Sequence, residues 1–481
     1  MTELDGALGI LPTSSGDLQA IIGDADTGPY DTPAAYGDID SIKATFASAG
    51  KMSPMVELAA RALEQYGRPV VLARTKRTTT GSSSDLDITG VTGTCTPALD
   101  STIHPTDDAE AGILITTGGT IGTAGIIYQW TLDGFRTLSF PTALGTAISI
   151  TIPGTNIKYD LDNTTTLIAG DKWSSVAHAP IWGSSDLQDT LTALIASKQN
   201  WEYVTILGDA TGAIQDVVDA KMLAAAAKEK HRWAQIHFRV PNVGESDATY
   251  QAAFSTSFAS HTSTHVERYA GAAQVLSSIS AQQRRRPSAF AVASLYASLG
   301  KGQDAAKIEH GPLPGVQIRD GNGNLLEHDE SEQPGLDDLK ATTLRTWPSR
   351  DGVFVNNPRI ACPVGSDFVL VQYRRVMNVA RTVLTAYLEE RTSQDVIVDA
   401  KTGFVIESEA QEIESGAKVA VESVVLADPM ASAFSFKLSR TDNILATQTF
   451  HYEARVVPLG YPKQIVGNIG FNNPAVRAVT S

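Results

Sequence analysis

Residues 452–474 read YEARVVPLGYPKQIVGNIGFNNP and contain two segments that favour β-structure. The first, residues 452–457, predicts a half-buried strand that ends at Pro458, because proline has no N–H to donate to a sheet. The second, residues 464–471, is flanked by prolines, and no further β-prone segment follows it. A lone strand leaves its backbone groups unpaired, so this segment needs a sheet edge in its own chain or in another copy.

The composition predicts a folded protein of roughly two to four domains. Of the 481 residues, 42% are hydrophobic and 19% are charged, and the formal net charge is −15. This acidity argues against nucleic acid or an anionic membrane as a partner. We see no secretion signal at the start and no apolar run of the roughly 18 residues that a membrane helix needs. With Cys95 and Cys362 as the only cysteines, we expect folding in a reducing cytoplasm without disulfides.

The chain opens with a β-α-β pattern. Residues 17–23 and 69–73 predict buried strands, and residues 40–50 and 54–66 predict the helices between them. This order is typical of a sheet covered by helices. From about residue 78 to 175 the chain is rich in Thr, Gly, Ser and Asp, which predicts an all-β segment without helices.

Helices and strands alternate again from Ser185 onwards. The predicted helices are 187–197, 213–230, 249–260, 287–299, 372–391 and 405–415. The predicted strands are 201–207, 233–240, 265–269, 353–354, 358–363, 419–426, 433–439 and 448–457.

These patterns together predict an α/β plus α+β multidomain fold. A middle α/β domain with a mixed sheet is expected at residues 18–75 and 180–345, with an inserted all-β module at 76–179. An α+β C-terminal inner domain is expected at 346–462. Extended terminal arms are expected at 1–17 and 463–481.

Three short motifs resemble catalytic or metal-binding signatures, and each lacks a required part. Residues 26–28 match the aspartic-protease tripeptide Asp-Thr-Gly, but the chain has no second Asp-Thr/Ser-Gly to pair with it. His261 and His265 have the spacing of zinc ligands, but the motif's glutamate and a third ligand are absent. Asp320 begins a calcium-like loop that lacks the required glycine and acidic residue. We therefore predict no catalytic, cofactor-binding or metal-binding site.

Two clusters of arginines are candidate contact sites. Residues 284–286 are three consecutive arginines, which we interpret as either an inter-subunit patch or a solvated turn. Arg374, Arg375 and Arg381 lie on the longest predicted helix and are candidates for contact with an acidic partner surface.

Several patterns at the two ends of the chain resemble one family. The opening combines a hydrophobic strand, Gly23-x-x-x-x-Gly28-Pro29, a helix and the strand VVLAR at 70–74. The closing part contains DGVFVNNPR at 351–359, FVLVQYRR at 368–375 and YEARVVP at 452–458. These resemble the tail sheath proteins of contractile bacteriophages (myovirus type) and related contractile injection systems. The resemblance covers about 200 residues and none of the β-rich insertion.

The resemblance implies a structural protein that is not an enzyme and uses no cofactor. The inner domain would surround a tail tube, and terminal arms would add strands to hairpins of neighbouring subunits in stacked hexameric rings. An extended arm of about 18 residues spans about 60 Å, which is long enough to reach another subunit. The residues implied in strand exchange are Gln464, Ile465, Val466, Gly467, Asn468, Ile469, Gly470 and Phe471, with Leu8, Gly9, Ile10 and Leu11 in the other arm. Arg374, Arg375 and Arg381 are the residues implied to face the tube.

The implied partners are neighbouring sheath subunits, the tail tube protein, and the baseplate and tail terminator proteins, without nucleic acid or membrane. The implied location is the tail sheath of a virion assembled in the host cytoplasm. The sequence leaves three alternatives open: a surface or secreted β-rich adhesin, the sheath of a non-phage injection system or bacteriocin, and a hydrolase on the α/β domain.

Overall fold

The computed structural model describes residues 18–47, 53–242, 244–319, 324–325 and 335–463. Within these residues the chain forms nine α-helices and 24 β-strands. The helices are α1 Ile39–Phe46, α2 Pro54–Tyr66, α3 Ser184–Ala196, α4 Gly212–Ala226, α5 Asp247–Phe258, α6 Ser288–Val292, α7 Val371–Arg391, α8 Glu407–Val425 and α9 Ile444–Thr447. The strands are β1 Leu18–Gly23, β2 Ala34–Tyr36, β3 Val70–Arg74, β4 Ser82–Gly90, β5 Ala98–Leu99, β6 Ala109–Thr117, β7 Gly119–Thr120, β8 Ile127–Thr131, β9 Thr142–Ala143, β10 Ser149–Ile152, β11 Ile157–Asp160, β12 Thr166–Leu167, β13 Lys172–His178, β14 Trp201–Asp209, β15 Trp233–His237, β16 Val266–Tyr269, β17 Ala272–Leu276, β18 Gln283–Pro287, β19 Val316–Gln317, β20 Ala341–Thr342, β21 Leu344–Trp347, β22 Arg350–Val355, β23 Ala431–Leu438 and β24 Tyr452–Pro458.

The largest element is a seven-stranded sheet in the order β2-β3-β1-β14-β15-β16-β20. All neighbouring strands in it are parallel except β2, which runs antiparallel to β3. Strands β1, β3, β14 and β15 are buried along almost their whole length. They are rich in apolar residues because helices cover both faces of a parallel sheet.

The two faces of this sheet carry separate hydrophobic cores. Ile21, Leu72 and Trp233 point to the face covered by α1, α2 and α6. Ile22 and Val71 point to the face covered by α3, α4 and α5. The predicted β-α-β opening is confirmed, including α2, which starts at the cap residue Ser53 and ends at Gly67 with a φ of 61°.

Residues 75–183 lie between β3 and α3 and contain strands but no helix, as the composition predicted. They form sheets of five, three and two strands, in the orders β4-β13-β6-β8-β9, β10-β11-β5 and β12-β7. A separate core around Trp173, Tyr159 and Ile113 fills this β-module. The side-chain hydroxyl of Tyr159 bonds to Ser175 at 2.8 Å inside that core.

The three consecutive arginines form neither a subunit patch nor a solvated turn, so both interpretations were wrong. Residues 284–286 lie on β18, which pairs with β17. Arg284 and Arg286 are 1% and 2% exposed, and both bind Asp107 of the β-module. Arg286 also lies 3.2 Å from Glu57 on α2. These ion pairs join the β-module to the helices that cover the sheet. Three consecutive arginines in the sequence do not by themselves indicate that two of them are buried.

The C-terminal part packs α7, α8 and the β23–β24 hairpin around a fourth core. The strand predicted at residues 419–426 is wrong, because these residues continue α8 to Val425. The Val-rich segment favours a strand locally, but Ile413, Ala417 and Val421 recur at helical spacing and pack against α7. Gly416 lies inside this helix, where the Tyr387 hydroxyl leaves no room for a side chain.

Two other predicted elements are shorter in the structure. Residues 358–363 contribute only isolated bridges at Arg359 and Ile360 instead of a strand. The helix predicted at 287–299 begins after Pro287 as α6 and continues as a 3-10 helix at Ala293–Ala297.

Candidate assembly surface

The β23–β24 hairpin is the candidate assembly surface. Phe434 lies opposite Val456, and Phe436 lies opposite Ala454. Within the described part of the chain, β23 and β24 pair only with each other. A two-stranded sheet leaves an edge of unpaired N–H and C=O groups on each strand, which is a template for another strand.

One face of the hairpin is covered and the other is open. Ala431, Phe434, Phe436 and Leu438 on β23 are buried against α8, at alternate positions except for a bulge after Ala431. On β24 only Val456 is partly buried, so the prediction of a half-buried strand was wrong for most of its length. The hairpin is therefore held through β23, and β24 is exposed along nearly all its residues.

Ion pairs fix the far end of the hairpin to α8. The guanidinium of Arg440 contacts Glu407 at 2.8 Å and Glu414 at 2.7 Å. These contacts lower the pKa of both carboxyl groups through hydrogen bonds from Arg440. The backbone N–H of His451 donates to Asp442 at 2.6 Å and closes the connecting loop. Contacts within its own chain thus hold the hairpin in place.

The chain that leaves β24 is held against the body of the molecule up to Lys463. The Tyr373 hydroxyl on α7 donates to the backbone oxygen of Leu459 at 3.2 Å. The Tyr461 hydroxyl donates to the oxygen of Gly302, and Lys463 forms an ion pair with Asp304. Burial raises the pKa of Tyr461 to about 12. The predicted exchange segment 464–471 directly follows this anchored stretch and lies outside the described residues, as does 8–11.

A buried ionic cluster lies beside this anchor. Glu202 on β14 accepts a hydrogen bond from Arg375 on α7 at 2.7 Å and pairs with Lys301. Glu202 and Arg375 have fully buried side chains. Although burial opposes the charge, Arg375 and Lys301 hold the pKa of Glu202 at about 2. The cluster fixes α7 to the end of the sheet.

Both boundaries of the described chain lie next to this cluster. Leu18, the first described residue, pairs with Trp201, which precedes Glu202. Lys301 precedes Gly302, which anchors the chain that leads to residue 464. The first described residue, Leu18, and the anchored residue Tyr461 therefore both lie close to the Glu202 cluster.

The three arginines predicted to face a tube lie in different environments. Arg375 is inside the Glu202 cluster, and Arg374 is 2% exposed, with its Nε donating to the Thr264 oxygen at 2.7 Å. Burial lowers the pKa of Arg374 to about 9. Neither guanidinium reaches a surface, because both satisfy groups of their own chain. Only Arg381 is exposed.

Two of the three enzyme-like motifs have structural roles here, and most of the third, the loop that begins at Asp320, lies outside the described residues. Thr27 in the 26–28 tripeptide bonds to the Thr45 oxygen in the turn after β1. The His261 and His265 rings face different carboxylates, Asp216 at 2.8 Å and Asp219 at 3.4 Å. No group of three or more His, Cys, Asp or Glu residues suited to a metal occurs in the described ranges.

Among the described helices, none combines the length and apolar character that crossing a membrane requires.

Sequence reasoning missed Glu202, Lys301 and the Tyr461 anchor. One signal was available: Glu202 is the only charged residue in the otherwise apolar and aromatic run at 201–207. A carboxylate in a strand buried on both faces needs either a cation or several hydrogen-bond donors, and such partners come from distant parts of the chain.

Solved structures with the same fold include contractile sheath components. The contracted helical sheath of the anti-feeding prophage shares 10% sequence identity over 98% of each chain, with a TM-score of 0.52. A chain of the contracted anti-feeding prophage baseplate shares 10% sequence identity over 98% of this chain and 97% of its own, with a TM-score of 0.50. A sheath tail protein from Desulfitobacterium hafniense shares 10% sequence identity over 93% of this chain and 98% of its own, with a TM-score of 0.48. The first two likenesses confirm the predicted resemblance at the level of fold.

No curated protein is similar in sequence to this chain. A family model described as DUF2586, N-terminal domain, matches residues 1–359, which is about three quarters of the sequence. The chain therefore belongs to the DUF2586 family.

Proposed function

We propose that this chain is the structural subunit of a contractile sheath. It would polymerise as stacked, hexameric rings around a tail tube and shorten to drive that tube through a cell envelope. The observation that carries the proposal is the fold, which aligns over 98% of this chain with a helical sheath in its contracted state. The acidic composition also suits a protein that must stay soluble at high concentration before assembly.

We further propose that the subunits join by strand addition at the β23–β24 hairpin. The predicted donor at 464–471 has eight residues, and the hairpin strands have eight and seven, so a donor strand would match the edge in length. Main-chain hydrogen bonds would supply affinity, and alternate side chains such as Ile465 and Ile469 would supply specificity. The segment at 8–11 would be a second donor.

In this proposal the anchored stretch before residue 464 acts as the fixed end of a linker. Rings could then rotate and approach each other while the added strands stay paired. Contraction would need no cofactor, because an extended lattice assembled in a higher-energy packing releases that energy when triggered. The proposed partners are neighbouring copies, a tube protein, and baseplate and terminator proteins, in the tail sheath of a phage particle or the sheath of an injection system.

Of the three arginines predicted to face a tube, we keep only Arg381 in that role. Its exposure on α7 leaves the guanidinium available to an acidic surface. Arg374 and Arg375 are instead proposed to hold α7 in place.

Truncation of the arm tests this proposal. A chain that ends at Lys463 keeps the Tyr461 and Lys463 anchors and should remain folded and monomeric, while the full chain should form tubes or stacked rings in negative-stain electron microscopy. The matched control is a chain that ends at Pro474, which retains the donor segment and should still assemble. Normal tubes from the shorter chain would refute strand addition by 464–471. A full chain that stays monomeric at high concentration would refute the sheath proposal itself.

A further inference from the structure

A cleft of about 730 Å³ lies between the seven-stranded sheet and the β-module. Its floor is formed by the carboxyl ends of the sheet strands, at Asp24 after β1, Asp209 at the end of β14 and His237 at the end of β15. The opposite wall includes Asp108 and His178 of the β-module. None of these residues takes part in the assembly surface.

The cleft lies at the carboxyl ends of the neighbouring strands β1 and β14, where the chain connections of the sheet diverge. From β1 the chain crosses to β3 on one side, whereas from β14 it crosses to β15 on the other side. The helix α2 covers one face, and α4 covers the opposite face. In open parallel sheets the connections diverge at such a point and leave a crevice outside the carboxyl ends, where ligands bind.

Most charged groups that line the cleft are already neutralised by partners. Arg286 binds Asp107, and Arg285 lies 2.6 Å from Glu110. Further pairs are Arg239 with Glu245 at 2.7 Å and Asp24 with Arg74 and Arg77 at 3.1 and 2.9 Å. The arginines of the cleft are therefore not available to an anion.

Three carboxylates in the cleft, those of Asp85, Asp108 and Asp209, form no ion pair with a Lys or Arg of the described residues, and Asp108 and Asp209 lie on opposite walls. Asp108 accepts one hydrogen bond, from the Ala179 N–H at 2.8 Å, and forms no ion pair. Asp209 has a 69% exposed side chain and lies 3.8 Å from His237. Arg239, which is already paired with Glu245, interacts with Asp209 only through the electrostatic field and forms no ion pair with it. The Gly208 N–H donates to Nε2 of His237 at 3.2 Å, so that nitrogen is unprotonated and the ring is neutral. Burial also lowers the pKa of His237.

Part of the cleft wall is apolar. It includes Val176, Trp182, Leu207 and Phe290. The Trp182 ring is fixed by its Nε1–H, which donates to the Leu207 oxygen at 2.7 Å. A ligand that fits this cleft thus needs an apolar stem and a positive charge.

We propose that this cleft binds an organic cation, a guanidinium or ammonium group on an apolar stem, with the charge between Asp108 and Asp209. The group comes either from a free amine or from a Lys or Arg side chain of a second copy of this chain. Both sources present the same chemistry to the two carboxylates.

The ionisation of Asp108 supports this assignment. The side chain opens to the cleft, but desolvation by the surrounding protein and the charge of Asp107 raise its pKa to about 6. The other titratable groups near it in the cleft are Asp209, Asp85, the already paired Arg286 and Glu110, and His178 from β13. A bound cation favours the carboxylate, so binding lowers this pKa and weakens as the pH falls below about 6.

Agmatine, a guanidinium on a four-carbon amine, tests the proposal by isothermal titration calorimetry with the full chain kept unassembled at low concentration. The wild type should bind at neutral pH and more weakly at about pH 5. Asp108→Asn, which keeps an oxygen for the Ala179 N–H, and Asp209→Asn should each weaken binding about tenfold or more. The exposed Asp395→Asn variant is the matched control and should bind as the wild type does.

Three results would overturn the proposal: no agmatine binding by the wild type up to millimolar concentration, equal affinity in Asp108→Asn, or equal binding of uncharged 1-butanol. Repeating the titration with assembled protein distinguishes the sources. Retained binding assigns the cleft to a free amine, and loss on assembly assigns it to a Lys or Arg of a neighbouring copy.

Discussion

Replacing Glu202 with glutamine should destabilise the chain strongly while leaving its shape almost unchanged. The substitution removes the negative charge that Arg375 and Lys301 share. The Arg375 guanidinium would then lie in the interior with neutral acceptors in place of a counterion: the glutamine amide oxygen and the backbone oxygens of Tyr296, Leu299 and Gly300. A buried charge that loses its counterion is one of the few single changes that lower the free energy of unfolding by several kcal/mol.

The structure gives the size of the effect. The pKa of Glu202 is about 2 in the folded chain, against an ordinary 4.5. That difference corresponds to roughly 3 kcal/mol of stability at neutral pH, which agrees with the ~3–5 kcal/mol typical of breaking a buried ion pair. Because the folded-state pKa is depressed, this contribution is present above about pH 4.5 and is lost as the pH falls through about 2.

Urea denaturation followed by tryptophan fluorescence should therefore show a lower free energy of unfolding for Glu202→Gln at neutral pH, with the gap to wild type narrowing towards about pH 2. Glu309→Gln, in the exposed Lys307–Glu309 pair, is the control and should leave the unfolding curve unchanged. Adding Arg375→Met to Glu202→Gln should recover part of the loss, because the stranded charge is removed. A Glu202→Gln protein as stable as the control would refute the role of this cluster in holding α7.

Two further predictions concern other buried groups. Burial raises the pKa of Glu267 to about 7 although Gln235, Tyr269, Thr342 and Tyr296 donate to it. Its folded-state pKa lies above the ordinary 4.5, so its stabilising contribution is full below about pH 4.5 and is lost as the pH rises through about 7. In urea titrations, the free energy of unfolding of Glu267→Gln should not show this decline between about pH 4.5 and 7. A variant that shows the same decline as wild type would mean that other groups cause it. Gly416→Ala should cost about 1–3 kcal/mol in the same assay because its Cβ would clash with the Tyr387 hydroxyl, and an alanine variant as stable as wild type would contradict that close approach.

Local patterns predicted the parts of the fold in which neighbouring residues carry the information. The apolar runs of β1 and β3 have the length and flanking turns of buried strands, and the helix between them carries its own cap residues, Ser53 and Gly67. The long helix α7 was predicted within one residue because its apolar positions recur at helical spacing. These features do not depend on what the rest of the chain does.

Features that depend on distant contacts could not be predicted in the same way. Residues 284–286 look basic and exposed until Asp107, more than 170 residues earlier, is placed beside them. The end of α8 favours a strand until α7 supplies an apolar surface for Val421. For the assembly surface, the two hairpin strands were predicted, but the exposure of β24 and the anchor at Tyr461 depend on how the hairpin packs.

Cryo-electron microscopy of the assembled full chain tests the central claim most directly. We predict a tube in which residues 464–471 of one copy lie as an added strand against the β23–β24 hairpin of a neighbouring copy. The hairpin would then become a sheet of at least three strands. A tube in which the hairpin stays two-stranded, or in which residues 464–471 pair with a strand of their own chain, would contradict it.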